Sequence, residues 1–304
     1  MTRILPDKDT TYAIQRAAQN LGHVSLHTMA HELTAKDGTV WARAREVKVL
    51  SSAPWFELGP DQDIAVDDID AVFIRKDPPF DRSYLYLTLM LELARGKTRI
   101  INDPRGLRDA NEKLYALNFA AHMPPTLVSA SRSEIESFVA TQGGRGVIKP
   151  LDGAGGAGVL MIDAQDKNMR SIVDMLTFEG RRLAMVQGFL PAVTAGDKRV
   201  LLLDGEILGA INRVPRKDDL RSNIHAGGSV EPTALSAEEL ELVQSVLPKL
   251  KQDGLFFVGL DLIGGRLTEV NVTSPTGIQE LSRFQGKDRA EDLIRWLERG
   301  GGNH

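Results

Sequence analysis

The chemistry of this chain has to come from oxygen and nitrogen groups, because its 304 residues include no cysteine, which removes disulfides, thiolate metal sites and a sulfur nucleophile. Four stretches have residue types and spacings that could do such chemistry. In "KPLDGAGGAG", Lys149 to Gly158, four glycines follow a lysine and run into the apolar "VLMI". No Gly-Lys-Ser/Thr follows, so it is not a Walker loop. The glycines lead into apolar residues rather than a helix start, so it is not a dinucleotide fingerprint either. What survives is a lysine-ended strand, a glycine turn and a returning strand. Such a turn can lay backbone N–H groups against phosphate oxygens, since no Cβ obstructs the approach; read alone, a loose hairpin turn explains it as well.

The second stretch is "GLDLIGGRLTEVNVTSP". Glu269 and Asn271 stand two apart on a predicted strand and share a face, with Asp261 on the partner strand. Oxygen groups of this kind suit Mg²⁺, which is commonly held by one or two carboxylates plus substrate phosphates. A two-residue Gly264-Gly265 turn would send Asp261 to the opposite face, whereas a three-residue loop over 264 to 266 sets it opposite Glu269. The metal reading therefore expects the three-residue loop; the alternative is a half-exposed strand with solvated polar positions. The third stretch, "AGDKRVLLLDGE", puts Asp197, Lys198 and Arg199 ahead of an apolar strand, as a solvated strand start or as a base or ribose contact. Fourth come scattered cations. Lys113 follows Asp109 by four on a predicted helix and reads as a surface pair, while Arg75, Arg213 and Arg221 are the guanidinium groups that a carboxylate-bearing substrate would use. The six histidines show no metal spacing, and the absence of a Gly-x-Ser-x-Gly elbow argues against a serine hydrolase.

A net charge of −4 and a pI near 5.9 provide no global basic field for nucleic acid or an anionic membrane surface. No apolar run approaches the roughly 20 residues of a spanning helix, and the start "MTRILPDKDT" lacks a secretory apolar core, so a cytoplasmic location is expected. Stepping along the chain, Asp9 or Thr10 caps a helix in "YAIQRAAQNL", a strand follows in "HVSLHTM", and a hairpin turns at Asp37-Gly38. "DAVFIRK" and "RIIND" read as strands, "SYLYLTLMLELA" and "PRGLRDANEKLYALNFAA" as helices, which together predict an open, doubly wound α/β unit. After Met123-Pro124-Pro125 the pattern changes to hairpins flanked by helices, an α+β arrangement. The polar connection 215 to 232 is too long for an ordinary connector and reads as disordered or as a functional lid.

In order, "RKDPPFD", "LRDANEKL", "IKPLDGAGGAG", "VQGFLPAV", "GDKRVLLLDGE", "NIHAGG" and "FVGLDLIGGRLTEVNVTSPTGI" resemble bacterial glutathione synthetase of the ATP-grasp superfamily, over nearly the whole chain from Asp7 onward. The resemblance implies an N-terminal α/β domain over 1–112, a central lid subdomain over 113–190 and a C-terminal catalytic subdomain over 191–304, with ATP gripped between the last two. It implies that Lys113 and Lys149 hold ATP phosphates and that Gly153, Gly155 and Gly156 belong to a loop over them. Gln187, Phe189 and Leu190 would lie against adenine, and Asp197 would meet the ribose. Asp261, Glu269 and Asn271 would carry Mg²⁺ or Mn²⁺. Arg75, Arg199, Arg213 and Arg221 would meet substrate carboxylates or phosphoryl charge, with Arg199 facing the oxyanion, and Ser274, Pro275 and Thr276 would border the acceptor site. The implied reaction joins γ-glutamylcysteine to glycine through an acyl phosphate, in a homo-oligomer. Another ATP-grasp carboxylate–amine ligase and a non-catalytic ATP-binding regulator are the alternatives; "RKDPPFD" speaks against the first, the full Asp/Glu/Asn and lysine set against the second.

One departure stands out. Members of the resembled family begin with a strand ahead of the equivalent of "DKDTTYAIQ", a strand that lies centrally in a doubly wound sheet. Its absence here predicts either a start codon placed too far downstream or a weakened N-terminal domain. A version extended upstream should melt at a higher temperature than the 304-residue chain; equal melting temperatures would contradict this.

Overall fold

The computed structural model describes residues 4–153, 155–215 and 228–302. α1 (Thr10–Asn20) is capped by Asp9, whose carboxylate accepts the Tyr12 N–H at 2.8 Å. β1 (Ser25–His27), β2 (Leu33–Lys36), β3 (Thr39–Val49) and β4 (Phe56–Ala65) form an antiparallel sheet built on β3. The expected Asp37-Gly38 turn joins β2 to β3, with Lys36 opposite Thr39 and both turn residues at positive φ. β4 is an addition to the expected elements. Gly59, Pro60 and a run of charges hide it from propensity, and a pairing irregularity between Arg45 and Val47 accommodates them at this edge.

β5 (Ala71–Phe73), α2 (Arg82–Glu92), β6 (Arg99–Ile101) and α3 (Pro104–Asp109) follow, and β5 pairs in parallel with β6. The single helix expected across residues 104 to 121 is instead two pieces: α3 stops at Asp109, and a 3-10 helix runs over Tyr115–His122. The cause is local. The Asn111 side-chain oxygen accepts the Lys113 N–H at 3.2 Å and the Leu114 N–H at 3.0 Å, the bonding by which asparagine competes with helix.

β7 (Thr126–Ser129), α4 (Arg132–Thr141), β8 (Arg145–Pro150), β9 (Leu160–Asp163), α5 (Met169–Thr177) and β10 (Ala184–Gly188) make a sheet ordered β7-β10-β8-β9. Ile148 and Val186 bury one of its faces against Ile135 and Val139 of α4 and Val173 of α5. Strand alternation then puts Lys149 and Gln187 on the other face.

The last sheet contains β11 (Asp197–Leu203), β12 (Glu206–Val214), β13 (Ser229–Pro232), β14 (Phe257–Ile263) and β15 (Arg266–Asn271), ordered β13-β12-β11-β14-β15 and antiparallel throughout. On one face Val200, Leu202, Leu260 and Leu262 pack against α6 (Ala237–Gln252) and the N-terminal region. Full burial of each such side chain is worth about 1.5–3 kcal/mol. The opposite face is divided. At one end Leu201, Leu203, Ile211 and Phe257 lie under α1, α7 (Ile278–Gln285) and α8 (Arg289–Glu298). Its other end carries the charged residues.

α3 docks end-on where α6 stops: Asp103 N–H bonds the Gly254 carbonyl at 3.0 Å, and a Cβ on Gly106 would fall 2.0 Å from the Asp253 carbonyl oxygen. Backbone cannot yield to that overlap cheaply, so Gly106→Ala should destabilise the protein by about 1–3 kcal/mol or more, read by urea unfolding. An unchanged midpoint would mean that this docking is looser than described.

Candidate functional site

On β11, alternation places Asp197 and Arg199 on the face that continues into Leu201. β12 sets Arg213 opposite Asp197, and β14 sets Asp261 opposite Arg199. β15 brings Glu269 opposite Asp261, with Asn271 two residues further on. The expected three-residue loop is not how this pairing arises. The turn is the two-residue Gly264-Gly265, with Ile263 opposite Arg266 and Leu262 opposite Leu267, and Thr268 is then an extra residue before Glu269 meets Asp261. That bulge reverses the facing of every later residue, and the Thr268 hydroxyl donates to the Asp261 carbonyl at 3.1 Å.

The resulting row sets two adjacent carboxylates between cations. Arg199 bonds Asp261 through Nε at 2.5 Å and Nη2 at 3.0 Å, and Arg213 Nη2 lies 2.9 Å from the same carboxylate. All three side chains are buried. Burial alone would raise the Asp261 pKa, but the two guanidiniums outweigh it and hold the carboxyl well below the ordinary carboxylate range. Arg213 also donates through Nε to Asp197 at 2.6 Å, so the residue expected at a ribose is an anchor for Arg213 here. Glu269 pairs with Lys113 at 3.0 Å. Lys113 is 4% exposed and donates to the Gly153 carbonyl at 2.5 Å, which corrects the expectation of a surface pair with Asp109. Its backbone lies in the break between helices, not on either.

Across from this row, Lys149 on β8 donates to Gln187 Oε1 at 2.6 Å, and desolvation lowers its pKa against the opposing pull of Glu269. The glycine stretch follows Lys149 and meets Lys113 at Gly153: Gly155 and Gly156 have φ of 61° and 79°, and a Cβ on Gly153 would lie 2.8 Å from Pro150 Cγ and 2.9 Å from the Ala157 carbonyl. Asn111 Nδ2 bonds the Leu151 carbonyl at 3.2 Å, tying the start of the stretch to the same break that carries Lys113. Phe189 stacks under the Arg145 guanidinium at 5.3 Å. Leu190 lines a cleft of about 540 Å³ with Leu117, Met123 and Pro125, which none of Lys113, Lys149 and Glu269 borders.

The segment after Asn271 is held by arginines. Arg75 donates to the Pro275 carbonyl at 3.0 Å and to the Thr11 hydroxyl at 3.3 Å, and Arg199 Nη1 donates to the Thr276 carbonyl at 3.2 Å. Arg199 can lie across β14 because residue 259 is glycine; a Cβ there would fall 2.9 Å from Arg199 Cδ. Ser274, Pro275 and Thr276 are thereby brought beside Arg75 and Arg199. Arg221, and residues 216 to 227 of the expected lid, lie outside the described residues.

Sequence reasoning passed over Asn102, Asn111, Glu112 and Gly259. Asn102 Nδ2 donates to the Phe257 and Val272 carbonyls at 2.9 and 2.8 Å, and its Oδ1 accepts the Phe256 and Phe257 N–H groups at 2.8 and 2.7 Å. Glu112 Oε1 accepts three hydrogen bonds from Val272 and Thr273. Burial, with the charge of Glu269 second, pushes the Glu112 carboxyl above its ordinary value. Buried bonding of this kind leaves no periodic trace in a sequence; only the adjacency of Asn111 and Glu112 to Lys113 hinted at it.

The oxygen groups on this face have the make-up of a divalent-cation site. Asp261 and Glu269 face each other across strands, Asn271 shares the face, and its Nδ2 donates to the Gly259 carbonyl at 3.3 Å, leaving Oδ1 to accept. Both carboxylates have cationic partners here, two buried guanidiniums on Asp261 and the lysine Lys113 on the less buried Glu269, so Glu269 is the one that can exchange its partner for a metal ion. Among the described residues no three His, Asp or Glu side chains gather for a metal, so two carboxylates and an amide suit a hard cation that takes its remaining oxygens from phosphate or water. The set fits.

Residues 112–286 match the family model described as prokaryotic glutathione synthetase, ATP-grasp domain, and residues 1–108 that of its N-terminal domain. A glutathione synthetase from Synechocystis sp. is 46% identical over 98% of this chain and 97% of its own length, and one from Nostoc sp. is 43% identical over 97% and 94%. Among solved structures, the ATP-grasp ligase PsnB, complexed with a phosphomimetic variant of its minimal precursor, Mg and ADP, aligns with a TM-score of 0.60 at 17% identity, over 97% of this chain and 95% of that one.

Asp261→Asn would leave Arg199 buried without its carboxylate and Arg213 with Asp197 alone, and should cost about 3–5 kcal/mol in denaturant unfolding. A loss below about 1 kcal/mol would show the pairs to be solvated. Because the folded pKa of Asp261 lies below its ordinary 3.8, the pairing contributes fully above that value and is lost as pH falls through the lower folded value.

Proposed function

The chain belongs to the prokaryotic glutathione synthetase family and makes glutathione with ATP, and we propose that the charged end of the five-stranded sheet is where it does so. The observation that carries the reading is the continuous row Arg199, Asp261, Glu269, Lys113, with Lys149 facing it. We divide the chain into an N-terminal domain over 1–112, a lid subdomain over 113–190 and a catalytic subdomain over 191–304, so that ATP lies between the last two.

In this reading Lys113 and Lys149 hold ATP phosphates, exchanging Glu269 and Gln187 for phosphate oxygens, while Gly153, Gly155 and Gly156 offer backbone N–H groups from above. Gln187, Phe189 and Leu190 flank the adenine, and Asp197 either shares itself with the ribose or acts by fixing Arg213. Asp261, Glu269 and Asn271 would hold Mg²⁺ or Mn²⁺, which supplies positive charge to the phosphoryl oxygens. The substrates are γ-glutamylcysteine and glycine. Arg75, Arg199, Arg213 and Arg221 receive carboxylate and phosphoryl charge, and Ser274, Pro275 and Thr276 border the acceptor.

The reaction follows from the weakness of a free carboxylate as an acyl donor. An oxygen of the γ-glutamylcysteine carboxylate attacks the γ-phosphorus of ATP, the bond from that phosphorus to the β,γ-bridging oxygen breaks, and ADP leaves as the acyl phosphate forms. The lysines stabilise the charge that gathers on the transferred group. The deprotonated glycine amine then attacks the acyl carbon; Arg199, held by Asp261, stabilises the tetrahedral oxyanion; and the C–O bond breaks to free phosphate and glutathione. The last residues of the expected 215 to 232 lid are instead the strand β13 (Ser229–Pro232); water must be kept from the acyl phosphate, and we assign that task to the connection ahead of β13. We place the enzyme in the cytoplasm as a homo-oligomer; the exposed Leu85, Tyr86, Leu89 and Leu93 along α2 support self-association.

Phosphate release should require both γ-glutamylcysteine and glycine. Release with neither, or none at all, would contradict the proposal. Glu269→Ala should lower kcat by about a hundredfold or more while circular dichroism shows the fold retained; near-normal turnover would remove Glu269 from the site.

A further inference from the structure

Glu112 is a partly buried carboxylate within the site to which the reaction assigns no task. Its Oε1 accepts the Val272 N–H at 3.1 Å, the Thr273 N–H at 3.2 Å and the Thr273 hydroxyl at 2.7 Å. Its backbone carbonyl accepts the Val270 N–H at 3.0 Å. These donors all lie between Glu269 and Ser274, so one residue governs the backbone on both sides of Asn271. Asn102 grips the same peptide from the other end, through the Val272 carbonyl at 2.8 Å. The position is also an awkward one for a carboxylate, partly withdrawn from water and beside a second carboxylate at Glu269. A group kept there needs a reason beyond filling space.

From these contacts we propose that Glu112 is a positioning residue: by fixing the Val272–Thr273 backbone it sets where the Ser274–Thr276 segment stands relative to Arg199 and Arg75. The consequence for catalysis rests on the reading of that segment as the border of the amino-acid substrate site. The mechanism is geometric. All three side-chain bonds converge on a single oxygen, so what the segment needs is an acceptor at that point, and the segment's remaining carbonyls, on Pro275 and Thr276, can reach their guanidiniums only if its start is fixed.

Three variants separate this from a role in folding alone. Glu112→Ala removes the acceptor and should raise the KM of γ-glutamylcysteine and glycine about tenfold while the KM of ATP stays within about threefold. Glu112→Gln keeps an acceptor oxygen and should recover most of that loss. Thr273→Val removes one bond of the three and should shift the same two constants in the same direction, less strongly, and it carries the test if Glu112→Ala fails to fold. Hydrogen exchange supplies a readout independent of turnover: the Val272 and Thr273 amides should exchange about tenfold faster in Glu112→Ala or, failing that, measurably faster at Thr273 in Thr273→Val, and at the wild-type rate in Glu112→Gln. The inference is overturned if the Ala variant lowers only kcat with every KM unchanged, if Gln is as impaired as Ala, or if the amide rates do not move. A wild-type protein that forms no glutathione would instead overturn the functional reading, with the exchange comparison still deciding the role of Glu112.

Discussion

A carboxylate kept ionised inside the protein is the constraint on which the rest of the site depends. Asp261 is buried with Arg199 and Arg213 against it, and none of the three charges is tolerable there without the others. Satisfying them fixes much of the local architecture. Arg213 has to reach two strands across, so Asp197 holds it from the side. Arg199 needs room to lie over β14, so residue 259 has no side chain. Glu269 has to stand on the same face as Asp261, which the two-residue turn alone would forbid, and the extra residue at Thr268 provides it.

The same charge pattern explains how a phosphate-bearing ligand can be received without rebuilding the site. Lys113 and Lys149 are the members of the network whose partners are a half-exposed carboxylate, a carbonyl and a neutral amide, all weaker claims than the buried arginine pairs. An anionic ligand can therefore draw the lysines while the Arg199–Asp261–Arg213 core stays in place. Lys113 in addition donates to the Gly153 carbonyl, so a ligand that draws this lysine also acts on the glycine stretch.

Much of this was legible in the sequence, and the parts that were not share a cause. Strand alternation correctly put Glu269 and Asn271 on one face and marked Lys149 as the end of a strand. The Asp37-Gly38 turn and the capping of α1 by Asp9 follow from local rules that operate over a few residues. Register is different. Whether Asp261 meets Glu269 is decided by one bulged threonine, which has no composition signal, and the choice between a two-residue and a three-residue loop left that solution out. The helix expected through Asn111 failed because a side chain outcompeted the backbone pattern, and that failure is what delivers Glu112 and Lys113 to the site. Arg213 with Asp197, and Asn102 with Val272, are separated by 16 and 170 residues, so their partnership exists only after the sheet has formed.

We assign the phosphate and cation site of the enzyme to this row of paired charges. The most direct test of this assignment is anomalous diffraction at the manganese edge from crystals grown with ADP and Mn²⁺. The account predicts an anomalous peak bound by Glu269 and Asn271 beside Asp261, with Lys113 withdrawn from Glu269 toward the nucleotide phosphates and Arg199 still paired with Asp261. A bound nucleotide whose manganese touches none of these residues, with Lys113 still on Glu269, would contradict it.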